Sequence, residues 1–194
     1  MCEALVEELR QRLSKRRRVS VTKSYLRRAA VLIPIYQEEG ECFLVFIKRS
    51  RSVNSHGGEI SFPGGGVLET DRDSLSAALR EAWEEVGISP EEVEVVGVLD
   101  DAETVTSRYA ITPYVGFLRK KPAMRPEPSE VEEIIEIPLR AFCEEARLHV
   151  EDWVIGDVWM PVYFYRVRGY VIWGATARIL KNLFDVWGVS VRSD

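Results

Sequence analysis

The stretch Pro63–Ile88, PGGGVLETDRDSLSAALREAWEEVGI, decides how this chain is read. It opens on a glycine triplet, expected as a tight turn that no helix or long strand continues through. Leu75, Leu79, Ala82, Trp83 and Val86 then recur at helical spacing. They predict a helix over about Asp73–Val86 whose apolar stripe, Trp83 included, lies in the core. Asp71 or Asp73 can cap its start, and Gly87 can close it. Its other face gathers Glu81, Glu84 and Glu85. Residues three and four apart on a helix are neighbours, so these carboxylates repel by about 0.2–0.5 kcal/mol per pair.

A solvated acidic face tolerates that cost, but this pattern also suits a chemical use. A donor set of oxygens without histidine selects a hard cation, Mg²⁺ or Mn²⁺, over zinc. Such an ion, held by few carboxylates, keeps positions for water and substrate phosphates. It stabilises charge on a phosphoryl oxygen and acidifies a bound water. A spare carboxylate beside it can take that water's proton. The repulsion is then relieved by a metal, and the metal handles a diphosphate.

Working outward, RRAAVLIPIY and CFLVFIKRS read as strands joined by a turn in QEEGE, and EISF as a short strand. After the helix, EVEVVGVLD and YAITPYVGFL read as strands around the polar loop DDAETVTSR. The proline-bearing KKPAMRPEPS reads as a loop. EVEEIIEI reads as a strand, PLRAFCEEA as a helix, WMPVYFYRV and GYVIWG as a hairpin, and ATARILKNLFDVW as a closing helix. This order predicts an α/β domain with a mixed sheet. Leu5, Leu9 and Leu13 suggest a short amphipathic helix, so residues 1–27 are expected as a basic helical extension and 28–194 as the domain.

The 194 residues carry a net charge of −5 and 46% hydrophobic residues. The first 30 hold nine Lys/Arg and three Glu, so the acid excess belongs to the body. The run KRRR is expected as a solvated helix end, and nucleic acid is disfavoured as a partner because the body is acidic. Cys2, Cys42 and Cys143 lack metal-site spacing and are expected as reduced thiols in a cytoplasm. Apolar runs are far short of a membrane span, and the N-terminus, with glutamate where an apolar core should stand, does not read as a signal peptide.

The segment 63–88 resembles the Nudix box: Gly66, Arg80, Glu81, Ala82, Glu84, Glu85, Gly87 and Ile88 match it. The box's early glutamate is replaced by Arg72, and Asp71 beside it is the alternative acid if the loop is one residue longer. GGEISFPGG (Gly57–Gly65), VLDDAETVTSRYAITPYVGFL and YVIWGATARILKNLFD are similar to segments of the coenzyme A pyrophosphatase branch. PSEVEEIIEIPL resembles a strand-to-helix step of Nudix proteins.

The resemblance implies an α/β/α sandwich and metal-dependent water attack on a diphosphate bond. For coenzyme A the products would be 3′,5′-ADP and 4′-phosphopantetheine. It implies Glu81, Glu84 and Glu85 as ligands of Mg²⁺ or Mn²⁺ and Glu81, Arg80 and Glu84 as the catalytic group. Arg80 orients a glutamate, and Glu81 is the first choice of base. Asp100, Asp101 and Glu103 are alternative bases or an ordinary acidic turn.

Gly64 and Gly65 are expected to let the backbone approach the site, with Arg49 and Arg51 as substrate contacts. His56 is expected as a loop residue. The rival readings are a hydrolase of ADP-ribose or a dinucleotide polyphosphate, a non-catalytic nucleotide-binding module, and, last, an RNA-processing protein. Pairing of residues 1–27 with a second subunit, giving a homodimer, is left open.

Overall fold

A computed structural model describes residues 2–51, 57–104, 107–155 and 158–193; His56 lies outside the described residues. The chain opens with helix α1 (Cys2–Ser14), then strands β1 (Arg27–Glu38) and β2 (Glu41–Arg49). Short strands β3 (Ile60–Ser61) and β4 (Gly64–Gly66) lead to helix α2 (Ser74–Val86). Strands β5 (Glu94–Val98), β6 (Ala102–Glu103), β7 (Tyr109–Leu118) and β8 (Val131–Pro138) precede helix α3 (Leu139–Glu144). Strands β9 (Arg147–Ile155), β10 (Val158–Val167) and β11 (Tyr170–Trp173), helix α4 (Gly174–Trp187) and strand β12 (Arg192–Ser193) complete it.

The larger sheet is mixed. Its path runs β3-β2-β1-β7-β5; β1 and β7 are parallel and the other pairs antiparallel. Strand β1 serves two partners along one edge: Ala29–Val31 pair with β4, and Ile35–Glu38 pair with β2. Its continuous apolar run follows from burial on both faces. Ala30 and Leu32 pack with Ala77, Ala78 and Ala82 of α2. Ile33 and Ile35 belong to the core shared with Leu9 of α1 and Leu180, Leu183 and Phe184 of α4. Helices thus cover both faces, giving the expected α/β/α sandwich. A second sheet, β11-β10-β9-β12, packs against α4.

Three expectations are corrected and one strand is added. The triplet Gly64–Gly66 is a strand rather than a bare turn, because without side chains it can press against β1: a Cβ on Gly64 would lie 2.4 Å from the Ala30 carbonyl. Trp83 is 55% exposed. Helix α2 meets β1 through its narrow alanine face, and Trp83 is turned about 100° from Ala82 around the helix. Cys2 and Cys42 form a disulfide. The Cys2 amide donates to the Gly40 carbonyl at 3.1 Å, docking the start of α1 on the β1–β2 turn beside Cys42. Finally, RLHVEDWVI, left without a structure in the sequence reading, is strand β9.

Candidate active site

Helix α2 begins where Asp73 accepts from the Ser76 amide and ends where Gly87 takes a left-handed conformation at φ 76°. Between these caps the helix presents Glu81 and Glu85 toward β4, while Glu84 stands half-exposed against Arg80. The Gly64 amide donates to Glu85 Oε2 at 2.8 Å. A Cβ on Gly65 would stand 2.6 Å from the Glu81 carboxyl, so glycine there is a steric requirement of this approach.

A third carboxylate comes from far along the chain. The amides of Arg125 and Glu127 donate to the Val86 and Glu85 carbonyls at 3.0 and 2.9 Å, laying the loop before β8 across the end of α2. That loop delivers Glu130, and one carboxylate oxygen each from Glu81, Glu85 and Glu130 lies within 4.8 Å of the others. Glu85 is 2% exposed. Burial pushes its carboxyl up to about 8, and Glu81 and Glu130 add to this against the Gly64 hydrogen bond and Arg49. Burial also raises Glu81, with Arg80 opposing. An all-oxygen cluster with more negative charge than its surroundings neutralise fits a hard dication.

Arg80 is the hub beside this cluster. Its Nη1 donates to Glu81 Oε1 and Glu84 Oε2, both at 2.9 Å. Its Nε and Nη2 donate to the two oxygens of Asp71 at 2.9 and 3.1 Å. Asp71 is therefore the anchor of Arg80, held below the usual carboxylate range by it, and is not in the cluster. Arg72 points outward, 91% exposed. Glu84, half-exposed, is the one box glutamate outside the close trio.

The glycine strand forms part of a cleft of about 1200 Å³ between the larger sheet and the β10–β11–α4 side. Arg49 lines it, with Nη1 3.7 Å from Glu85 Oε1; Arg51 is not among its lining residues. One wall carries Arg27, Arg108 and Tyr109, another Trp153, Trp173 and Arg178.

The profile of the NUDIX domain matches residues 26–164. The chain belongs to the Nudix family. The uncharacterized Nudix hydrolase NudL of Escherichia coli K12 is 40% identical over 161 residues, 81% of each chain. That of Shigella flexneri is 40% identical over 168 residues, 84% of each. A MutT/nudix family protein from Enterococcus faecalis shares the fold, with a TM-score of 0.56 and 13% identity over 95% of this chain and 73% of that one. The Nudix chain is accordingly a hydrolase of a nucleoside diphosphate derivative, from a family that uses divalent metal ions. None of its helices is long and apolar enough, among the described residues, to cross a membrane.

The acids after β5 in this Nudix domain, the alternative bases, have protein partners. Asp100 pairs with Arg16 and accepts from the Val19 amide at 2.7 Å. Asp101 pairs with Arg18 at 2.5 Å and accepts from the Val21 amide at 2.8 Å. Glu103 pairs with Lys23 at 2.7 Å. The run expected as a solvated helix end is thus a strap whose cations meet the loop 100–103. Two features that the sequence presents separately neutralise each other. Glu130 is the residue sequence reasoning missed: it stood among five acids of PSEVEEIIEIPL and its neighbours, and nothing local set it apart.

Proposed function

We propose that the protein hydrolyses the diphosphate bond of coenzyme A or its derivatives with Mg²⁺ or Mn²⁺, giving 3′,5′-ADP and 4′-phosphopantetheine. The observation that carries the reading is the Glu81–Glu85–Glu130 trio directly behind the glycine strand that lines a large cleft. Those three carboxylates would hold the metal. When bound, it offsets phosphate charge and supplies an acidified water.

Glu84, fixed on one oxygen by Arg80, extends the acidic face toward solvent and the substrate. Arg80 holds Glu81 and Glu84 in register, and Asp71 holds Arg80. Glu81 shares the trio and receives the water's proton. The new bond joins the water oxygen to one phosphorus, and the bridging P–O bond breaks, leaving two phosphomonoesters. Gly64 and Gly65 bring backbone to the carboxylates, and Arg49 reaches the cleft beside Glu85 to meet a phosphate. Support for coenzyme A is the similarity of GGEISFPGG and YVIWGATARIL to that branch. Ser61, Phe62, Gly64 and Gly65 of the first segment and Trp173, Thr176 and Arg178 of the second line the same cleft.

The test incubates the protein with coenzyme A, ADP-ribose and a dinucleotide polyphosphate, each with Mg²⁺, Mn²⁺ or chelator, and separates products by chromatography. Metal-dependent 3′,5′-ADP from coenzyme A, lost in an E84Q/E85Q variant, is expected. Turnover of ADP-ribose alone would retain the mechanism and reject the substrate.

A further inference from the structure

We infer that Arg27, Arg108 and Arg178 form a second anion subsite in the cleft, one nucleoside away from the carboxylate trio, that takes a phosphomonoester on the nucleoside half of the substrate. The inference rests on the diphosphate reading of the trio.

The first observation is charge. The protein is acidic overall, and several surface cations sit on carboxylates: Lys48 on Glu132, Arg140 on Glu41 and Arg168 on Glu145. Arg27, Arg108 and Arg178 all line the cleft, and none makes an ion pair among the described residues. The nearby acid of that wall, Glu103, is already taken by Lys23 at 2.7 Å. Cations without carboxylates, gathered in a concave site that already handles phosphate, are what a further anionic group requires.

The second observation is placement. Along β1, Val31 pairs with Gly64, whose amide holds Glu85, while Arg27 pairs with Tyr109 of β7. Four residues of strand separate them, roughly 13 Å. A nucleoside laid along the cleft is of that order of length, and at its far end Arg27 Nη2 donates to the Ser107 carbonyl at 3.5 Å. Arg27 is held for this: its guanidinium lies over the Tyr109 ring at 4.2 Å, and its amide donates to the Arg108 carbonyl at 3.0 Å.

Arg178 comes from the opposite wall. It is one turn before Asn182, whose side chain binds Asp100, so α4 aims Arg178 along the same face toward the Glu103–Thr104 side of the cleft. Guanidinium groups from two walls can grip a tetrahedral phosphate from two directions. The cations the sequence places near the box lack this arrangement: Lys48 is paired, Arg51 does not line the cleft, Arg72 points outward, and Arg49 faces Glu85.

The experiment measures calorimetric affinities of the full chain for AMP and for adenosine 3′,5′-bisphosphate, which need no turnover. The wild type is expected to bind the bisphosphate at least about tenfold more tightly, as for charge-assisted hydrogen bonds. R27A/R108A and R178A should bring the two affinities together without changing that for AMP, and R178K should retain part of the preference. Equal affinities in the wild type, or variants that weaken AMP and bisphosphate alike, would overturn the subsite.

Kinetics with coenzyme A and its 3′-dephospho form separate the two readings. A bisphosphate preference without coenzyme A turnover would keep the subsite and reject the substrate. Equal kcat/KM for the two forms would reject the subsite and keep the diphosphate reading.

Discussion

Two acidic clusters of this molecule look alike in sequence and differ in what surrounds them. Glu81, Glu85 and Glu130 face one another, with Glu84 at their edge and Arg80 and a distant Arg49 as their cations. Asp100, Asp101 and Glu103 are each met by a cation of the strap, and Asp101 is 3% exposed on its side chain beside Arg18. The first cluster is left short of positive charge and the second is not. An acidic cluster becomes a candidate metal site through what the rest of the chain withholds from it.

Breaking the first cluster has the largest expected effect. E85Q removes the most buried carboxylate of the trio, and steady-state kinetics should show kcat lower by roughly 10³-fold. The folded protein should persist, since an amide replaces a group that burial already disfavours as a charge.

The second cluster responds in the opposite way. R18A leaves Asp101 buried without its cation, and denaturant unfolding should show a loss of roughly 3 kcal/mol. Glu81, Glu85 and Glu130 are untouched, so kcat should stay near wild type while the protein remains folded. A variant that lost activity and kept stability would place Asp101 in the chemistry instead.

A smaller effect sharpens the contrast by pH. Glu85 titrates near 8 in the fold and in the ordinary carboxylate range when unfolded. Between those values the folded chain binds more protons, so metal-free stability should fall as pH rises toward 8. Thermal scans in chelator should show this slope, and E85Q should flatten it. Mn²⁺ should reverse it, because the ion takes the deprotonated form.

Much of the fold was legible because its signals are local. The α2 stripe, the Asp73 cap and the Gly87 stop lie within one short segment, and β1 and β7 announce themselves as apolar runs. Strand β9 was not legible: residues 150–154 are exposed on both faces, mixing Glu151 and Asp152 with Val150, Trp153 and Val154, and neither period dominates. The Cys2–Cys42 bridge spans 40 residues and depends on where α1 docks, which spacing does not encode.

The site divides in the same way. Glu81, Glu84, Glu85, Gly64 and Gly65 sit inside one recognisable segment. Glu130 and the strap partners of Asp100 and Asp101 are long-range consequences of folding. Periodicity finds a face; only the assembled chain finds its counter-charges.

The strap carries a practical consequence for anyone redrawing the borders of this chain. The family match spans 26–164, yet Arg16, Arg18 and Lys23 lie before it, and Arg178 and Asn182 lie after it. A fragment cut to those borders would begin just past Tyr25, which lines the cleft, and would leave the loop 100–103 with its acids unanswered. During synthesis the same cations emerge some eighty residues ahead of their mates, so the earliest part of the chain must wait for the middle before it can close over it.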